Sequence, residues 1–169
     1  MNPIIRKIRP EEYVLLREFL YQAIYLPDGV EPPPRSVLDL PELQVYVTDF
    51  GTRPDDHCLV AEVEGKVVGA AWCRIMEDYG HIDNDTPSLA ISLLPAYRGL
   101  GIGTRLLKKF LLLLRNSGYL RTSLSVQKEN PALRLYQQIG FKVVEEKGTE
   151  YLMLWDGTVQ SFDALSPIR

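Results

Sequence analysis

No apolar run in this chain is longer than five residues, Phe110 to Leu114, whereas a membrane-spanning helix needs roughly 20. The opening residues Met1-Asn2-Pro3-Ile4-Ile5-Arg6 lack the apolar core of a secretory signal. A surplus of positive charge is also missing. The 19 Lys and Arg stand against 22 Asp and Glu, a net charge of −3, which supplies no basic footprint for nucleic acid. Cysteine is limited to Cys58 and Cys73. Pairing Val63 with Lys66 across a Glu64-Gly65 turn sets Cys58 opposite Ala71 and Cys73 opposite Asp56. That makes the two cysteines diagonal neighbours about 7 Å apart, too distant for easy bridging. Internal repeats and low-complexity tracts are absent. The expectation is a cytoplasmic protein with reduced cysteines, no membrane contact and no nucleic-acid partner.

The composition that remains is ordinary for a globular chain: 169 residues, 46% hydrophobic and 24% charged. That length fits one domain, residues 1–155, with residues 156–169 as a C-terminal tail. Ile4 to Ile8 reads as a short strand. Pro10, with Glu11 and Glu12 behind it, opens a helix whose apolar stripe is Leu15, Leu16, Phe19, Leu20 and Ala23. After the Pro27-Asp28-Gly29 turn comes a stiff Val30-Glu31-Pro32-Pro33-Pro34 segment, read as a spacer or as one wall of a pocket. A second helix is expected over Pro41 to Phe50, stopped by Gly51. His57 to Val63 and Lys66 to Met76 form a hairpin, and Gly69 suggests a bulge in its second strand. The loop from Glu77 to Asp85 is dense in titratable groups. Ser88 to Leu94 is a central strand with little polar alternation. Ile102 to Ser117 is a heavily buried helix, and Thr122 to Val126 a strand. Asn130 caps the helix Ala132 to Ile139, with Pro131 at its start. Phe141 to Glu146 and Glu150 to Trp155 make a closing hairpin.

The chain is organised around Leu89 to Leu114, where an apolar strand stops at Pro95. A turn carrying Gly99, Gly101 and Gly103 then leads into a helix. Strand, glycine turn and helix in that order make an anion site, because the first helical N–H groups lack partners inside the helix. Two nucleotide motifs do not fit. A dinucleotide fingerprint needs G-x-G-x-x-G and a carboxylate about 20 residues on; here the spacing is Gly99-x-Gly101-x-Gly103, and Tyr119 to Ser123 contains no acid. A Walker loop needs G-K-[ST], and Gly103 is followed by Thr104-Arg105.

What stands is Arg98-x-x-Gly101-x-Gly103 after a Pro-terminated strand, together with Asn130-Pro131-Ala132-x-x-x-Tyr136-x-x-x-Gly140-Phe141. Both segments resemble motifs of the GNAT superfamily of N-acetyltransferases, and the resemblance spans roughly Ile4 to Trp155. It implies an α/β fold, a mixed sheet with element order β-α-α-β-β-β-α-β-α-β-β. It further implies acetyl transfer from acetyl-CoA to an amine, with no metal. The implied diphosphate site is the backbone from Leu100 to Arg105, through Gly101, Ile102, Gly103 and Thr104 and with Gly99 in the turn, plus charge from Arg98 and Arg105. Leu93 would pair with the pantetheine amides, the Ile91 N–H would polarise the thioester carbonyl and Asn130 would bond the CoA arm. Tyr136 would protonate the departing thiolate.

Many family members carry a glutamate on the strand of the acetyl site, but Pro87 to Leu94 has no carboxylate, only Ser88 and Ser92. The base is left open among His81, Asp83, Asp85 and Glu31. The candidate acceptor site comprises Tyr25, Glu31, Trp72, Tyr79, His81, Asp83, Asp85 and Ser88. Its carboxylates, with Asp28, Glu77 and Asp78, favour a cationic amine. A homodimer is compatible with the resemblance. A non-catalytic acyl-CoA-binding or regulatory module of the same fold is the alternative reading.

Overall fold

The computed structural model describes residues 2–158; the remainder of the expected tail lies outside them. Seven strands form one sheet in the spatial order β1-β2-β3-β4-β5-β7-β6. They are β1 (Ile4–Lys7), β2 (His57–Val63), β3 (Lys66–Arg74), β4 (Ser88–Leu93), β5 (Arg121–Gln127), β6 (Lys142–Lys147) and β7 (Glu150–Asp156). The helices are α1 (Leu16–Ala23), α2 (Pro41–Gln44), α3 (Ile102–Asn116) and α4 (Ala132–Ile139). Short 3-10 turns aside, the chain runs β-α-α-β-β-β-α-β-α-β-β. No helix among the described residues is long and apolar enough to cross a membrane.

Side chains alternate across the strands, so each sheet face carries its own apolar layer. On one face α3 sets Leu106, Leu107, Phe110, Leu111 and Leu114 against Leu89, Leu124, Met153 and Trp155. On the other, Leu16, Phe19 and Leu20 of α1, with Leu38, Tyr46 and Phe50, cover Cys58, Val60, Ala70 and Trp72. Burial of each such side chain contributes about 1.5–3 kcal/mol, which outweighs local propensity.

The second helix is shorter than expected, covering Pro41–Gln44 alone. Its continuation spends its carbonyls on β3 instead. Arg74 donates to the carbonyls of Val45 and Thr48 at 3.1 and 2.7 Å, and Trp72 Nε1 donates to Tyr46 O at 3.1 Å. Arg74 is fully buried and paired with Asp56 at 2.9 Å. The hairpin register also differs. A bulge beside Gly69 shifts the pairing by one, so Cys58 faces Trp72 and Cys73 faces His57. The two cysteines lie in opposite apolar layers, and both are free thiols.

The feature that positions the site is the junction of β4 with β5, the one parallel pairing among the described residues. It consists of a single pair, Ser88 with Ser123. At that end Pro87 O accepts from Thr122 Oγ1 at 2.8 Å and from Ser123 N at 3.1 Å. Beyond it the strands diverge. β4 stays with β3 and is tied to α1 by Ser92 Oγ donating to Phe19 O at 2.6 Å. β5 follows β7 through seven paired positions. Leu93 at the open end is gripped between glycines. Its Cδ1 lies 3.6 Å from a Cβ built on Gly103, and a Cβ built on Gly69 would meet its Cδ2 at 2.2 Å. Gly69→Ala is expected to displace Leu93 and lower the urea-unfolding free energy by about 1–3 kcal/mol; an unchanged midpoint would remove Gly69 from this role.

Candidate active site

Strand alternation decides what faces the gap. Leu94 N donates to Val68 O at 2.8 Å, so the bonded β3–β4 pairs include Ala70 with Ser92 and Trp72 with Ala90. Gly69 with Leu93 and Ala71 with Ile91 are the non-bonded pairs. The N–H and C=O of Ile91 and Leu93 therefore point away from β3, toward a strand that has already diverged. Independent support comes from Arg98, whose Nε reaches Leu93 O at 3.2 Å.

Above this gap, Pro95–Tyr97 turns the chain and Gly101 starts α3 with φ 82°, a left-handed conformation that glycine adopts without a Cβ penalty. The first helical bond runs from Arg105 N to Gly101 O at 3.3 Å. The N–H groups of Ile102, Gly103 and Thr104 precede it and have no acceptor within the helix. Leu100 is exposed beside them, as is Gly99. This cradle differs from expectation in its cations. The Arg105 amide is used inside the helix, and its side chain lines a groove between α3 and β1 with Lys7, Leu59 and Lys108. Arg98 serves as a strut, with Nη2 donating to Gln22 O and Oε1 at 3.2 and 3.1 Å, fastening the turn to α1.

From the α3/α4 face, Tyr136 enters the same apolar layer as Ile91, Leu124 and Val126. It is buried edge-on to Phe141, with centroids 5.9 Å apart. Burial pushes its phenol up to about 12. Asn130 Oδ1 accepts from Ala132 N at 2.9 Å, capping the start of α4.

The expected acceptor residues divide. Trp72 is a core residue, fully buried under α1 and α2 with its indole N–H spent on Tyr46 O, so it forms no pocket wall. Ser88 is likewise buried at the closed end, donating to Asp78 Oδ1 at 2.7 Å. Asp83 and Asp85 also belong to that end. Asp83 Oδ1 accepts from Asp85 N at 2.9 Å, and its Oδ2 pairs with Arg121, the first residue of β5, at 3.3 Å. The Asp85 amide, with the Thr86 hydroxyl, pulls the Asp83 carboxyl below its ordinary range. His81 N donates to Asp78 O at 3.3 Å, and its buried Nδ1 has no partner among the described residues. Glu31 is exposed in the proline segment. Tyr25 and Tyr79 do face the open side. Tyr25 OH donates to Glu129 O at 3.1 Å, bridging the segment after α1 to the turn before α4. Tyr79 is 48% exposed near Glu42 and Glu150.

One residue escaped the sequence reading. Glu150, half-buried at the start of β7, accepts from Ser125 Oγ at 3.1 Å and from Gln127 Nε2 at 2.8 Å. Only the cross-strand pairing of Gln127 with Glu150 reveals it, and no local spacing signals that.

The family profile described as the Acetyltransferase (GNAT) family matches residues 20–141. The chain belongs to that family. Among its relatives, the [ribosomal protein bS18]-alanine N-acetyltransferase of Haemophilus influenzae is 33% identical over 86 residues, 51% of this chain and 55% of that protein. An N-alpha-acetyltransferase of Sulfurisphaera tokodaii is 35% identical over 98 residues, 51% of this chain and 56% of that protein. The chain thus spans little more than half the length of these relatives. In fold it is similar to the PaiA N-acetyltransferase of Thermoplasma acidophilum, solved in complex with coenzyme A. The TM-score is 0.68 at 22% identity, covering 92% of this chain and 99% of that one.

The cradle's shape rests on Gly101. A Cβ there meets nothing within 4 Å, so the cost of Gly101→Ala is conformational, about 1–2 kcal/mol in urea unfolding. A loss much above that range would signal a steric clash that the geometry does not contain.

Proposed function

We propose that this chain is an acetyl-CoA-dependent N-acetyltransferase that moves an acetyl group to a primary amine, small or peptidyl. The gap beyond Ser88 and Ser123 carries the reading, because Ile91 and Leu93 aim main-chain groups into it beside a helix start with unpartnered N–H groups. A diphosphate suits the helix start and an extended amide chain suits the strand.

In this reading Leu100 to Thr104 bind the diphosphate through the backbone. Arg98 sets the turn's position through α1 and adds charge nearby. Leu93 pairs with the pantetheine amides, and Asn130 bonds the same arm. The Ile91 N–H meets the thioester oxygen as negative charge builds on it. Tyr136 hydrogen-bonds the departing sulfur. With its phenol near 12, full transfer to a thiolate of ordinary basicity, about 8.5, is uphill by about 5 kcal/mol. Its hydrogen bond to the charged sulfur is therefore the larger contribution, about 1.5–3 kcal/mol. The acceptor enters from the α1/α2 face past Tyr25 and Tyr79. Glu42 and Glu150, the carboxylates beside Tyr79, favour a cationic amine. Two of the relatives are named as a ribosomal-protein alanine N-acetyltransferase and an N-alpha-acetyltransferase, so peptide N-termini head the panel of acceptors.

Thiol release from acetyl-CoA across peptide α-amines, lysine and polyamines tests the reading. Tyr136→Phe should lower kcat about 10- to 100-fold with little change in CoA affinity. Because the phenol stays protonated well above pH 10, the wild-type rate should not fall through loss of that proton until the pH nears 12. The absence of a carboxylate on residues 87–94 favours the alternative, a CoA-binding module without turnover. CoA binding with no thiol release on any amine would select it.

A further inference from the structure

Tyr136 approaches the gap from the α3/α4 face, and Glu150 occupies the opposite one. β5 alternates, so Leu124 and Val126 face α3 and α4 while Ser123, Ser125 and Gln127 face α1 and α2. Counting along the two parallel strands from Ser88 and Ser123, Ile91 is level with Val126. The two donors that hold the Glu150 carboxylate, Ser125 and Gln127, bracket that level.

Both donors are neutral, and no Lys or Arg among the described residues forms an ion pair with Glu150. An ionised carboxylate offers about four lone-pair sites, and these bonds use two. The remainder is available to an arriving N–H. Beside it stand Lys147, its cross-strand partner on β6, whose ammonium lies 3.6 Å from Glu145, and Tyr79 from the loop, which is itself near Glu42 of α2. β5 contributes no titratable group here, and Lys128 beyond it is paired with Glu146.

We propose that Glu150, on β7, accepts the proton of the attacking amine, the task that no residue on β4 can perform. This rests on the N-acetyltransferase reading above. A peptide α-amine has an ordinary pKa near 7.7–8.0, so about half of it is neutral near pH 8 without assistance. The carboxylate orients that neutral amine by accepting one N–H. As the C–N bond forms, the nitrogen becomes strongly acidic and its proton passes to Glu150. The C–S bond then breaks, and the sulfur leaves as a thiolate that accepts a hydrogen bond from the Tyr136 phenol. The amide keeps one N–H. Glu150 then gives its proton to water, and the CoA thiolate takes one up from water, which closes the balance.

In Glu150→Gln the amide oxygen still accepts from Gln127 Nε2, and the amide nitrogen can donate to Ser125 Oγ once that hydroxyl turns, so the variant should fold. With the best peptide amine, its kcat should fall about 10²- to 10³-fold while CoA affinity by calorimetry stays within twofold. The rate profiles should also diverge. Wild type levels off above the pKa of the amine, whereas the variant keeps climbing as hydroxide takes over the proton. Glu150→Asp should recover at least tenfold over Gln and regain the plateau. Wild-type kcat and profile in Glu150→Gln would overturn the proposal. So would an equal loss in the Gln and Asp variants accompanied by weakened CoA binding, which marks a structural role. Wild-type protein that binds CoA yet acetylates no amine would instead refute the underlying reading.

Discussion

A hydrogen-bond ladder that stops after one rung governs this molecule. Between parallel strands, each further pair would satisfy donors that otherwise cost about 1–3 kcal/mol when buried and unmet. The sequence overrides that tendency by giving each strand a stronger attachment elsewhere. β4 is held by β3, by the contact from Ser92 to Phe19 and by the strut from Arg98 to Gln22. β5 is held by seven positions on β7. The gap is thus the consequence of two sets of contacts pulling apart. Main-chain donors of Ile91 and Leu93 are left where only a ligand or water can answer them.

The same opening separates two chemistries. On one side lies an apolar layer with Tyr136 embedded in it, where burial keeps the phenol protonated. On the other lies a polar surface of Ser125, Gln127, Glu150 and Tyr79, open between α1, α2 and the loop after β3. A buried phenol on one face and a hydrogen-bonded carboxylate on the other is the arrangement that the proposed transfer requires.

What could be read from sequence was local. The strand ending at Pro95, the glycine turn, the cap at Asn130 and the Tyr136 helix are all set by spacing within about 15 residues, and the structure forms them there. What could not be read depends on partners distant in the chain. Trp72 looked like a wall because aromatics line pockets, yet alternation on β3 turns it under Tyr46. The expected long helix after Pro41 failed because Arg74 and Trp72, about 30 residues later, take its carbonyls. One bulge beside Gly69 moved the cysteine register. Asp83 and Asp85 were near the site in sequence and are at its closed end in space. Glu150 was invisible for the converse reason.

Amide hydrogen exchange with and without CoA, resolved by residue, tests the central claim most directly. The account predicts slowed exchange at Ile91, Leu93 and Ile102 to Thr104, with β1 and the groove beside Arg105 unchanged. Protection confined to that groove, or none on β4, would contradict it.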